Sequence, residues 1–209
     1  GKLESRGNWK DGRKNGLHEN YNKNGKLESR GNWKDGRENG LHENYNKNGK
    51  LKSTGNYKNG VKDGLWDFYH ENGQLWISKG KYKDGEKDGL WEAHHDNGQL
   101  SYKGNFKNGV KDGLWEYCHD SGQLKNKVRY KNGSPNGINE NYHDNGQLAY
   151  KGNLKKGEID GLWEYYHDNG QLAYKGNYKN GVKKDGLWKY YHDSGQLKNK
   201  VRYKNGSPN

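Results

Sequence analysis

The sequence predicts an all-β protein of tandem β-hairpin repeats, which we expect to form an elongated, twisted, open ribbon or solenoid. Three observations predict this fold class. A motif recurs every 24 or 25 residues, its apolar and polar residues alternate, and Asn-Gly or Asp-Gly pairs punctuate it. Alternation is typical of half-buried strands, and Asn-Gly between such strands is a strong signal of a tight hairpin turn. No segment has the 3.6-residue periodicity of a helix.

The repeat organises residues 1–209 as a single array. Aligned on the glycine that opens the recurring Gly-Leu-Trp, units begin at residues 16, 40, 64, 89, 113, 137, 161 and 186, after a partial unit at 1–15. Segments 119–136 and 192–209 are identical, which indicates duplication within the gene. Because the pattern is already under way at Gly1 and continues to Asn209, we expect the array to be part of a longer chain.

The unit that begins at Gly161 shows the elements of one hairpin. We predict strands at 162–167 and 171–179, joined by a turn at Asp168-Asn169-Gly170. A longer loop over 180–186 is expected to lead into the next unit. The turn glycines are expected to adopt positive φ, where glycine alone is free of steric cost.

The pairing within each hairpin has two interpretations. A two-residue turn places Glu164 opposite Lys175 and Trp163 opposite Gly176. A three-residue loop with a bulge places Tyr166 opposite Leu172 instead. Since a one-residue slip inverts every side chain, the two pairings assign Trp163 to opposite faces.

The composition predicts an aromatic core. Leu, Ile, Val and Phe number only 27 of 209 residues, which excludes a conventional aliphatic enzyme core, whereas Trp, Tyr and Phe also number 27. Each aromatic ring buries a large area, so stacked units can share an apolar face that one hairpin lacks. The predicted core consists of Trp66, Trp91, Trp115, Trp163, Trp188, Tyr69, Tyr166, Tyr191, Leu75, Leu100, Leu124, Leu148, Leu172 and Leu197.

The runs from Gly31 to Tyr45 and from Gly55 to Tyr69 share the pattern Gly-Asn-[Tyr/Trp]-Lys-[Asn/Asp]-Gly-x-x-x-Gly-x-x-x-x-Tyr, which resembles the MORN repeat. The segment 72–75, Asn-Gly-Gln-Leu, is similar to the bacterial MORN-variant repeat of the YwqK-type antitoxin family. The resemblance implies β-hairpin ribbons that scaffold proteins, promote dimerisation or associate with phospholipids. Units with His18, His42 or Asn139 in place of Trp depart from the pattern and are expected to pack less tightly.

No residue pattern predicts catalysis or a cofactor. His70, His95, His119, His143, His167 and His192 occupy one repeat position, beside an acidic residue, but repeat-equivalent histidines should lie too far apart to share a metal ion. The only cysteine, Cys118, replaces the tyrosine of other units, which indicates a packing role. Phosphate-binding and nucleophile-elbow motifs are absent from the sequence. We therefore predict a protein that is not an enzyme and has no metal, no cofactor and no small-molecule substrate.

The net charge of +12 is arranged in rows. One row is the predicted partner-binding set: Lys79, Lys103, Lys127, Lys151, Lys175 and Lys200. An acidic row runs nearby from Glu19 to Glu164, and the two-residue turn would pair the rows across each hairpin. A second lysine row, from Lys10 to Lys204, has no such acidic partner. Such rows favour a solvated face, and lysine also protects exposed strand edges from aggregation. Alternatively, the regular lysines could meet anionic lipid or glycan, and nucleic acid is the least favoured partner because arginine is scarce.

The leading functional hypothesis is a non-catalytic scaffold for protein–protein interaction, including self-association. The alternatives are a structural or surface element of a fibre, adhesin or particle coat, and peripheral binding to anionic membrane. With one cysteine and no apolar run of about 18 residues, we expect a cytoplasmic or cell-surface protein with no transmembrane segment in this chain.

Overall fold

A computed structural model describes residues 3–209, except the side chain of Lys79. These residues form 20 β-strands and no helix. The first ten strands are β1 Ser5–Lys10, β2 Arg13–Tyr21, β3 Leu27–Lys34, β4 Arg37–Tyr45, β5 Leu51–Lys58, β6 Val61–Tyr69, β7 Leu75–Lys83, β8 Glu86–Lys87, β9 Gly89–His94 and β10 Leu100–Lys107. The others are β11 Val110–Cys118, β12 Leu124–Lys131, β13 Ser134–Tyr142, β14 Leu148–Lys155, β15 Glu158–Tyr166, β16 Leu172–Lys179, β17 Val182–Lys183, β18 Gly186–Tyr191, β19 Leu197–Lys204 and β20 Ser207–Pro208.

The chain divides into two compact units, each made of several repeats. The unit that we call the first contains Gly1–Leu100 with Phe106–Val110, and the one that we call the second contains Ser101–Asn105 with Lys111–Asn209. Within each unit, strands that follow one another pair antiparallel, as β3 does with β2 and β4 and as β15 does with β14 and β16. The all-β prediction of open hairpin repeats is therefore confirmed. No helix in the described part of the chain is long and apolar enough to cross a membrane.

The hairpin register combines the two predicted pairings. Trp163 lies opposite Gly176 and Glu164 opposite Lys175, as the two-residue turn requires, while Tyr166 lies opposite Leu172, as the bulged loop requires. A register shift after Tyr165 makes both true, because the bulge accommodates the extra residue before the turn. The turn itself is closed by a hydrogen bond from the Gly170 amide to the His167 carbonyl oxygen.

The predicted longer loop at 180–186 is wrong in its first part. Asn180 and Gly181 form a two-residue turn with φ of 48° and 78°, and strand β17 resumes immediately at Val182. Two consecutive left-handed residues are the geometry of a type I′ turn, which matches the twist of the strands it joins. The same turn recurs between units, so that each strand of a hairpin also pairs with the hairpin before or after it.

The buried core is a single layer of side chains, and tryptophan is its main component. Trp66, Trp91, Trp115 and Trp188 are at most 2% exposed, and Trp163 is equally buried. Four of these indoles cover a glycine of the preceding strand, as Trp66 covers Gly55 and Trp163 covers Gly152, where a Cβ would approach the ring closer than 3.0 Å. These glycines serve close packing rather than positive φ, a role that the turn argument did not predict.

The two early histidine units keep the same core architecture. His18 and His42 are buried, and the Nε2 of each donates to the carbonyl oxygen of Asn8 or Asn32 at 2.6 and 2.8 Å. Trp66 Nε1 donates to the equivalent Asn56 carbonyl oxygen at 3.0 Å. The tryptophan lost from this position reappears one row away as Trp9 and Trp33. Later units have Tyr57 or Tyr82 at that position and Trp9 is 63% exposed, so the smaller histidine is only partly offset.

Candidate interaction surfaces

Four residue rows carry the polar and aromatic chemistry of the sheet. Strand geometry sends consecutive side chains to opposite faces. One face, which we call the aromatic face, carries the tryptophans and the residues two positions away from them. The other, which we call the ionic face, carries the acidic row and the predicted lysine row.

Lysines clamp the tryptophans on the aromatic face. Lys62 Nζ lies 4.2 Å from the ring centroid of Trp66 and 5.0 Å from those of Phe68 and Tyr82. Lys87, Lys111 and Lys183 stand in the same way over Trp91, Trp115 and Trp188. Burial lowers the pKa of Lys62, yet the ring quadrupoles favour its charged form. Sequence reasoning missed this row, whose signal is a lysine four residues before tryptophan, or five before Trp188, where the repeat has one extra residue.

The ionic face neutralises much of the predicted lysine row. Glu116 lies between Lys103 and Lys127, at 2.9 and 3.6 Å, and Glu164 between Lys151 and Lys175, at 3.1 and 3.8 Å. The hydrogen bond from Lys103 holds the pKa of Glu116 below its usual value. In the first unit, Arg6 and Arg30 pair with Glu19 and Glu43. Lys79 belongs to the same predicted row, but its side chain lies outside the described residues.

The alternation of charge ends at Lys189. This residue occupies the position of Glu116 and Glu164 in its own unit, and it lies directly opposite both Lys175 and Lys200. Neither Lys189 nor Lys200 forms an ion pair with a residue of the described chain. The predicted acidic row ends at Glu164 and does not include this position. The repeat alignment shows that Lys189 replaces the acidic residue there.

A tyrosine ladder runs along the aromatic face of the second unit. Tyr150, Tyr165, Tyr174 and Tyr190 lie opposite one another on adjacent strands, and successive ring centroids are 5.8, 4.3 and 5.6 Å apart. All four are half-buried. Burial raises the pKa of Tyr165, Tyr174 and Tyr190, which keeps these phenols uncharged at neutral pH.

In the first unit the same row begins with polar residues and becomes apolar further along, where Phe68 faces Ile77 and Ile77 faces Ala93. Asn20 Nδ2 donates to Ser29 Oγ at 2.9 Å, and Asn44 Nδ2 donates to Ser53 Oγ at 3.1 Å. The tyrosine ladder is therefore a local property of the second unit and not a general consequence of the repeat.

The predicted core residues differ in depth. Tyr69, Tyr166 and Tyr191 and most of the predicted leucines are half-buried, whereas Leu197 is exposed. The hydroxyl of Tyr166 donates to Glu164 at 3.0 Å, so this tyrosine belongs to the ionic face rather than to the tryptophan layer. The apolar layer instead includes Ile77 and Val128, which occupy positions that the prediction omitted.

The histidine row links one turn to the next. His70 Nε2 donates to the His94 carbonyl oxygen at 2.9 Å, and its Nδ1 lies 2.7 Å from Asp96. His143 makes the equivalent contacts with Tyr166 and Asp168 at 3.1 and 3.0 Å. No group of three or more metal-binding side chains converges among the described residues. Burial raises the pKa of the Cys118 thiol, which disfavours the nucleophilic thiolate.

Comparison with known families agrees with the repeat. The family model described as MORN repeat variant matches residues 14–35, 38–59, 62–84, 87–108, 111–132, 135–156, 159–180 and 184–205. No curated protein matches the chain.

Proposed function

Because the chain belongs to the family of MORN repeat variants, we propose that it is a non-catalytic scaffold that binds a protein partner through the tyrosine ladder. Repeats of this family are generally associated with binding or scaffolding, and an all-β repeat fold of this kind is typically non-catalytic. The finer proposal depends on one observation, the continuous ladder from Tyr150 to Tyr190.

The ladder has the chemistry of a protein interface. Tyrosine supplies a large rigid ring and a hydroxyl, which is why it is enriched in interfaces and in their energetically dominant centres. The neighbouring rings hold each other in place, so Tyr165 and Tyr174, whose planes differ by 14°, lose little further freedom when a partner docks. The ionic face offers less to such a partner, because most of its lysines are already paired.

The repetition of like groups argues against a catalytic centre. A concavity in the second unit is lined by His119, His143, Asp144 and Asp168, but these are repeat equivalents of one another. Their contacts are the turn-to-turn bridges already described, and catalysis requires unlike groups that converge on one reacting atom.

The test is affinity capture of a partner, followed by measurement of its dissociation constant with the purified partner. The full chain is compared with the double variant Tyr165→Ser and Tyr174→Ser, which replaces both rings by the short polar side chain that Ser29 and Ser53 have in this row. The control, Asn126→Ser with Asn141→Ser, alters two residues of the same row where it has no tyrosine. We expect the dissociation constant to rise at least tenfold for the tyrosine variant and to stay within twofold for the control. Equal binding by both variants would contradict the proposal.

The nature of the partner is tested in the same experiment. The antitoxin resemblance predicts that the partner is a toxin or effector, and the identity of the captured protein tests this prediction. Sedimentation velocity over a concentration series tests self-association: growth into long polymers would favour the fibre or coat role over the scaffold role. Dimers that the Tyr165→Ser and Tyr174→Ser variant abolishes would identify the second copy as the partner.

A further inference from the structure

The ionic face of the last repeat places three lysines side by side, and we infer that Lys175, Lys189 and Lys200 form a binding site for a phosphate-type dianion. Lys189 on β18 lies directly opposite Lys175 on β16 and Lys200 on β19. The Cβ atoms of directly opposed residues in antiparallel strands are only about 4.5–5.5 Å apart. Like charges at this spacing destabilise a sheet unless an anion lies between them.

Only one lysine of this triad has an acidic partner within the chain. Glu164 lies 3.8 Å from Lys175 Nζ, but its carboxylate is closer, at 3.1 Å, to Lys151 Nζ. The same carboxylate accepts a hydrogen bond from the Tyr166 hydroxyl. Arg202, two residues beyond Lys200 on β19, adds a further positive charge opposite the uncharged Leu187. The triad is therefore only partly neutralised at one of its three members.

The chemistry of three ammonium groups favours a phosphate. Each lysine supplies up to three donors and one charge, and a phosphate ester near neutral pH carries close to two negative charges with three acceptor oxygens. A single carboxylate would leave most of these donors and charges unpaired. The ligand class is thus a phosphomonoester or inorganic phosphate. The site is on the face opposite the tyrosine ladder, since Lys189 and Tyr190 are consecutive strand residues.

The chain contains its own control for this site. Strand β12 has the same sequence as β19, but its Lys127 faces Glu116 where Lys200 faces Lys189. Lys127 also faces Glu140, an acid that Lys200 lacks, so Glu116→Lys combined with Glu140→Gln should create a second triad, Lys103, residue 116 and Lys127. Conversely, Lys189→Glu should convert the site into an ordinary member of the ionic row.

The experiment is calorimetric titration of the 209-residue chain with inorganic phosphate at pH 7.5, with sodium chloride balancing ionic strength. We expect one saturable site, at least tenfold weaker binding for Lys189→Glu, weaker binding for Lys189→Gln, and a second site for Glu116→Lys combined with Glu140→Gln. Lys131→Glu changes net charge by the same amount as Lys189→Glu and should bind within twofold of the parent. Circular dichroism verifies that each variant keeps its strand content.

Three results would overturn the inference. They are the absence of a saturable heat with phosphate, an equal loss of affinity in Lys131→Glu and Lys189→Glu, and a chain with Glu116→Lys and Glu140→Gln that gains no site. Vesicles of phosphatidylcholine with and without phosphatidic acid then separate the sources of the phosphate. Sedimentation with phosphatidic acid that Lys189→Glu abolishes assigns a lipid headgroup, whereas phosphate binding without such sedimentation assigns a soluble ester.

Discussion

Strands β12 and β19 have the same eight residues, Leu-Lys-Asn-Lys-Val-Arg-Tyr-Lys, yet they lie in different surroundings. β12 pairs along its length with β11 and β13, and its Val128 is buried. β19 pairs with β18 and with the two-residue strand β20, and most of its side chains are exposed. The facing acid is Glu116 in one case and is replaced by Lys189 in the other. An identical strand thus becomes part of an ion-pair ladder or part of a cationic cluster, according to its neighbour.

The tryptophans on the strands that precede β12 and β19, Trp115 and Trp188, also differ in their hydrogen bonding. Trp115 Nε1 donates to the Asn105 carbonyl oxygen at 3.1 Å. Trp188 is as deeply buried, but its Nε1 has no hydrogen-bond partner. The unit before Trp188 contains one extra residue, Lys184, whose amide takes the Asn177 carbonyl oxygen at 2.8 Å. A loop amide does not by itself displace the indole, because the Lys81 carbonyl oxygen accepts from both the Asp88 amide at 2.9 Å and Trp91 Nε1 at 3.1 Å. The missing hydrogen bond of Trp188 therefore accompanies the altered spacing of its unit.

The largest expected effect is steric. Gly104→Ala and Gly176→Ala both place a Cβ closer than 3.0 Å to the indole of Trp115 or Trp188. We expect each to reduce the free energy of unfolding by about 2–3 kcal/mol, because overpacking displaces the ring. The loss should be greater for Gly104→Ala, since only Trp115 has a hydrogen bond to break. Urea unfolding measures both.

The exposed neighbours Asn105→Ala and Asn177→Ala are the matched controls, with expected changes within about 0.5 kcal/mol. A Gly104→Ala chain as stable as Asn105→Ala would mean that the indole does not pack against this glycine.

The next effect tests the inserted residue. Deletion of Lys184 gives the unit the spacing of the one before Trp115, at which the indole Nε1 donates to the facing carbonyl oxygen. We expect the free energy of unfolding to rise by about 1 kcal/mol, the usual net contribution of one buried hydrogen bond. The reciprocal insertion of a lysine after Lys111 should destabilise the chain by a similar amount. Destabilisation by both changes would show that the insertion is accommodated without loss in the natural sequence.

A smaller effect is expected from exchanging the facing charges. Lys189→Glu should raise the free energy of unfolding by roughly 0.5 kcal/mol, and Glu116→Lys should lower it by a similar amount, as is usual for cross-strand charge pairs. Both changes should shrink in 1 M salt, where charge interactions are screened. Salt-independent effects would point to packing instead.

The smallest expected effect is on acid stability. The hydrogen bond from Lys103 lowers the pKa of Glu116 in the folded chain, so this pair stabilises the fold above the carboxyl's unfolded pKa. The contribution is lost as pH falls through the lower folded pKa, below about pH 4.3. Glu116→Gln should therefore reduce the difference in unfolding free energy between pH 7 and pH 3 by a few tenths of a kcal/mol. An unchanged difference would show that the pair contributes nothing to acid sensitivity.

Much of this architecture could be predicted from local residues. The repeat period, the Asn-Gly turns and the alternation of residues around Trp163 led to the hairpins, and the structure confirms them. The pairing of Glu164 with Lys175 was one of two open registers, because the sequence does not show that a bulge reconciles a two-residue pairing with a longer turn. The lysine clamp at Lys62 was missed because its partners Trp66 and Tyr82 come from different strands.

The sequence by itself determined the β-hairpin repeat, the supply of aromatic residues and the regular spacing of charge. These follow from local conformational preference and from a period that copies each residue into the same place. Only the tertiary structure decided what each copy meets. Strand pairing places Gly104 under Trp115, Lys189 between two lysines, and Tyr165 against Tyr174. Such contacts join residues of adjacent strands, so their chemistry depends on register and on the neighbouring unit rather than on the repeat alone.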